Sequence, residues 1–94
     1  RTAPRRPIQW PVRVATAKRW GRRRQWTGMT RDLAIHSARC ALPPDLGTRP
    51  VQTLTLETPA RSWTFPIREV RRTLQDRHMI LVVQWDGDPE WITW

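Results

Sequence analysis

The chain has 94 residues, one cysteine and a formal net charge of +9. That length fits one domain with a small core, and one cysteine excludes an internal disulfide. There is no apolar run of about 18 residues from which a membrane-crossing helix could be built.

The charge is uneven. Residues 1–31 carry ten of the seventeen Lys+Arg and no acid, and Lys18 is the single lysine. Such a segment generates a positive field and suits polyanionic partners. Arginine favours flat, two-pronged contact with phosphates and stacking on rings.

Residues 1–8 read as an extended arm, because Pro4 and Pro7 remove backbone donors. Gln9–Ala17 alternates, with Trp10, Val12, Val14 and Thr16 on one face, and predicts strand one. Lys18–Arg24 is a hairpin tip turning at Gly21, with contact to anionic lipid as its functional reading. Gln25–Arg31 is strand two and Ala38–Leu42 strand three. Between them, Leu33–Ser37 turns. Pro43–Gly47 is a loop.

Val51–Leu56 predicts strand four. Ser62–Val70 predicts strand five, with Trp63, Phe65 and Ile67 inward, and Thr73–Arg77 a turn. His78–Trp85 is apolar on both faces and reads as a covered strand six. In the tail 86–94, Asp88 as cap, Pro89 and Glu90 predict a short helix start. The expectation is an all-β domain, 1–94, built as a small six-stranded antiparallel β-barrel (9–85) with the arm and a helical tail.

Candidate chemistry is sparse. Cys40 alternates with Ala38 and Leu42 as a small core residue. Two scattered histidines, His36 and His78, give no metal set. Asp86-Gly87-Asp88 reads as a helix cap rather than a nucleotide-sugar motif. Trp10 and Trp63 read as core. Trp85, Trp91 and Trp94 are expected to cover a docking surface, and Trp20 with Trp26 offers stacking for nucleic acid.

Arg1-x-x-x-Arg5 ahead of strand one, then Asp32-x-Ala34-x-x-Ser37 at the strand two–three junction, resembles a PilZ domain. That family carries an RxxxR arm and a [D/N]xSxxG turn. Ile80–Trp94 resembles the close of the PilZ domain in bacterial cellulose synthase catalytic subunits. The resemblance implies a cyclic di-GMP sensor without catalysis or metal, cut from a longer cytoplasmic-side membrane protein with glycosyltransferase and transmembrane regions. It implies ligand contacts from Arg1, Arg5, Arg6, Asp32, Ala34 and Ser37, with arginines on guanine and phosphate and Asp32 on a guanine edge.

Two positions depart from the pattern. Ala34 lacks the hydroxyl, worth roughly 1.5–3 kcal/mol to a charged ligand. Ser37 replaces glycine, costing of order a kcal/mol if φ must be positive. Together they amount to about two to three decades in affinity. The rival readings are a degenerate PilZ-like docking module and a small basic nucleic-acid-binding barrel. Nucleic acid is the less favoured partner, since the tryptophans and the cations do not interleave on one face.

Overall fold

A computed structural model describes residues 6–16 and 24–86. Seven strands form one antiparallel sheet: β1 (Pro11–Ala15), β2 (Gln25–Leu33), β3 (Ser37–Leu42), β4 (Thr53–Glu57), β5 (Ser62–Pro66), β6 (Arg68–Gln75) and β7 (His78–Gln84). Their spatial order is β5-β4-β1-β2-β3-β7-β6. A 3₁₀ turn at Pro44–Leu46 is the one helical element among the described residues.

The expected six-stranded closed barrel is therefore corrected to a seven-stranded sheet whose edges, β5 and β6, do not pair. The expected strand five is two strands. Pro66 pairs with Thr53 at the end of β5, and Ile67 donates its N–H to Gln52 O at 2.9 Å. The chain then leaves one edge of the sheet and joins the other at Arg68. The expected turn Thr73–Arg77 shrinks to Asp76-Arg77, as Thr73, Leu74 and Gln75 pair with Ile80, Met79 and His78. The helix start expected in the tail lies outside the described residues from Gly87 onward, and Asp86 is a bend.

Alternation produces the inner face. Val12 and Val14 of β1, Leu54 and Leu56 of β4, and Cys40 and Leu42 of β3 are buried, as are Leu81 and Val83 of β7. Each strand presents every second side chain inward, so one apolar set per strand builds the core. Gly28 lies close against the backbone of β3. A Cβ there would lie 2.1 Å from Ala41 O.

Two tryptophans depart from expectation. Trp85 was expected on a docking surface and is instead 5% exposed, edge-on to Phe65 at 4.8 Å between ring centroids. Its indole N–H donates to Ile35 O at 2.9 Å. Trp26 lies in the core at 7% exposure, with Arg49 over its ring at 5.7 Å, which removes it from any open stacking face. Both bury large rings that a 94-residue chain has few other means to cover its core with.

Candidate ligand site at the β2–β3 turn

The arm comes to the turn through backbone pairing. Arg6 and Leu33 exchange two hydrogen bonds, N–H to O at 2.8 Å and 2.9 Å. Thr30 fixes the next stretch. Its side chain is fully buried; Oγ1 donates to Ile8 O at 2.6 Å and accepts from Trp10 N–H at 2.9 Å, while Thr30 N–H donates to Trp10 O. One hydroxyl thus serves as both donor and acceptor and satisfies two backbone groups of the arm. Ile8 and Trp10 pack on the core behind it.

The register of β2 on β3 decides which way Asp32 faces. Thr30 pairs with Cys40, but Asp32 pairs with Arg39, so Arg31 is an extra residue, a β-bulge. Side chains alternate with period two, so without the bulge Asp32 would share the buried face of Thr30. With it, Asp32 stands on the outer face beside Arg39, whose Nε lies 3.8 Å from its Oδ2. Leu33 returns to the core.

Beyond Leu33 the turn is held from both sides. Ala34 N–H donates to Ser37 O at 2.9 Å, and Trp85 N–H donates to His36 O at 3.0 Å. With the indole bond to Ile35 O, three hydrogen bonds fix residues 34–37 in one conformation. Ala34 is 4% exposed and so presents little of its side chain to solvent. Ser37 begins β3, opposite Gln84. Positive φ among non-glycine described residues occurs only at Asp76 and Arg77. The strain considered for Ser37 in place of glycine is therefore absent.

Of the six sequence-derived positions, Arg6, Asp32, Ala34 and Ser37 meet at this turn. Arg1 and Arg5 lie outside the described residues, as does all but Arg24 of the hairpin tip Lys18–Arg24 expected to contact lipid. Sequence reading did not place Arg31 or Arg39 among the ligand contacts, although the bulge sets Arg39 beside Asp32. It also passed over Arg71 on β6. Arg31, Arg39 and Arg71 line one groove of about 260 Å³ on the outer face, together with Ile80 and Val82.

Cys40 lies on the other side of the sheet from Asp32. Burial pushes its thiol up from 9.0 to about 12, and the Asp32 charge adds to the rise. It is a core residue without nucleophilic character. Among the described residues no group of three His, Cys, Asp or Glu is placed to hold a metal ion.

The open, seven-stranded antiparallel sheet has the PilZ fold. It is similar to a solved structure, the PilZ domain of CeSA from a cellulose-synthesizing bacterium, with a TM-score of 0.63 and 23% sequence identity over 90% of this chain and 84% of that one. No family model matches the sequence, and no curated protein does.

Proposed function

We infer that this chain is a regulatory module that senses cyclic di-GMP and relays its level to a larger, membrane-bound glycan synthase, from the cytoplasmic side. The observation that carries this reading is the pairing of Arg6 with Leu33, which brings Arg6 to the residue next to outward-facing Asp32. A cyclic dinucleotide offers two phosphates and two guanines. Arginines of the arm grip phosphate and the acceptor edge of guanine, and the Asp32 carboxylate accepts from guanine N–H donors. Closure of the arm over the ligand is the switch, with Ile8 and Trp10 as its fixed base.

The altered turn lowers affinity by less than the sequence pattern implies. With no left-handed strain at Ser37, the missing hydroxyl of Ala34 remains, worth about one to two decades. The fixed turn leaves the backbone able to pack against a flat base.

The alternative is a docking module that has lost its ligand, favoured by the buried methyl of Ala34. Calorimetric titration of the 94-residue chain with cyclic di-GMP, alongside Arg5→Ala and Asp32→Asn, separates the two. Saturable micromolar or tighter binding that both variants weaken supports the sensor. A folded chain that releases no heat up to millimolar ligand supports the docking module.

A further inference from the structure

We propose that Arg31, Arg39 and Arg71 form a second seat on the outer face, contiguous with Asp32, that takes a phosphate and the distal purine of the same cyclic dinucleotide. The inference rests on the sensor reading above and extends it from the turn onto the sheet.

The register lays out the seat. Asp32 pairs with Arg39, Arg39 with Val82, and Val82 with Arg71, so one cross-strand row runs over β2, β3, β7 and β6. Directly paired residues point to the same side of a sheet, and three interstrand steps of ~4.8 Å span about 14 Å. That reach suits a ligand with two ends.

Two bulges create the row. Arg31 is the extra residue that turns Asp32 outward. Val70 is the extra residue that turns Arg71 outward, between Glu69 paired with Val83 and Arg71 paired with Val82. Without the second bulge Arg71 would face inward with Glu69. Bulges re-aim side chains, and here both aim charge at one groove.

The chemistry of the groove is that of a purine nucleotide. Its floor is Ile80 and Val82, apolar side chains on the outer face of a sheet, where polar residues ordinarily stand. Ile80 is only 7% exposed despite facing outward. Val82, half-buried, is the part of that floor left open to a flat base. The walls are guanidinium groups. Arg39 faces Asp32, whereas Arg31 and Arg71 make no side-chain hydrogen bond or ion pair among the described residues. Two uncommitted guanidiniums over an apolar floor are donors in search of an anion.

The test is calorimetric titration of cyclic di-GMP at several salt concentrations into the 94-residue chain and its Arg71→Gln, Arg31→Gln, Asp32→Asn and Arg61→Gln variants, each checked for folding by circular dichroism. Arg61 lies over the Trp63 ring at 3.8 Å, at the other edge of the sheet, and reports any general effect of lost charge. Arg71→Gln and Arg31→Gln each weaken binding about tenfold and flatten the dependence on salt, while Arg61→Gln changes neither. If Asp32→Asn loses binding but Arg71→Gln and Arg31→Gln do not, the second seat is wrong and the sensor reading stands. Equal weakening by Arg61→Gln also overturns the seat. No binding by the unaltered chain overturns both.

Discussion

Thr30→Val is the substitution that most directly probes how the arm is held. Valine matches threonine in shape, so no cavity opens, and what is lost is the hydroxyl. Thr30 Oγ1 serves two backbone groups, Ile8 O at 2.6 Å and Trp10 N–H at 2.9 Å, from a fully buried position. Each partner left unsatisfied costs about 1–3 kcal/mol when buried. Ile8 and Trp10 are half-buried, so water recovers part of this, and the sum comes to about 2–3 kcal/mol. Urea unfolding measures it. With a slope of about 1 kcal/mol/M, expected for a chain of this size, the midpoint falls by roughly 2–3 M. Backbone pairing of Thr30 with Trp10 survives the change, so the arm loosens from Arg6 to Ile8 first and ligand affinity falls with it. A midpoint shift below about 0.5 M would refute the claim that this hydroxyl holds the arm.

Other perturbations read other parts of the fold. Gly28→Ala places a methyl 2.1 Å from Ala41 O, a backbone atom that moves only with β3, so the variant loses at least about 3 kcal/mol and shows no cooperative thermal transition near that of the parent. Arg77 holds φ at 65° in the hairpin turn between β6 and β7, so Arg77→Gly raises the melting temperature by a few degrees, for about 0.5–1 kcal/mol. The chain has one lysine and no tyrosine, so its alkaline stability reports Cys40. The buried thiol ionises near pH 12 rather than 9.0, so the unfolded chain gives up its proton first. Stability is fully present below pH 9 and declines as pH rises towards 12, by about 2–3 kcal/mol at pH 11, and Cys40→Ala flattens that slope. Ala34→Ser places a hydroxyl at a 4%-exposed position and raises cyclic di-GMP affinity about tenfold in calorimetry.

Much of the sheet was legible because period-two alternation marks a strand with one buried face. Val12 and Val14, Leu54 and Leu56, and the apolar run of β7 all point where alternation says. The β5–β6 break was not legible. Pro66 inside a strand-like run fits a non-bonded side or a bulge, and nothing local says that the chain then crosses to the opposite edge. β6 itself carries Arg68, Arg71 and Arg72 on a largely exposed edge, where there is no apolar face to mark it. Its one half-buried cation, Arg72, donates to Gly47 O at 2.7 Å and Arg49 O at 2.8 Å and pairs with Glu69, a role set by the tertiary fold.

At the candidate site, residue identity was legible and direction was not. Asp32 was visible as a carboxylate in a turn motif, and Arg6 as the end of an arm. The bulges at Arg31 and Val70 are properties of pairing between strands, not of either strand alone, so the outward aim of Asp32 and Arg71 appears only in the register. Trp85 shows the converse. A tryptophan near the end of a strand reads as surface cover, yet its N–H closes the turn that carries the motif, 50 residues away in sequence. Sequence distance hides such a bond.

The most direct test of the account is an amide chemical-shift map of the ¹⁵N-labelled chain titrated with cyclic di-GMP. The account predicts saturable shifts concentrated at Arg6, at Asp32–Arg39 and at Arg71 and Val82, with the β4–β5 end unmoved. Shifts confined to β4 and β5, or none at millimolar ligand in a folded sample, would contradict it.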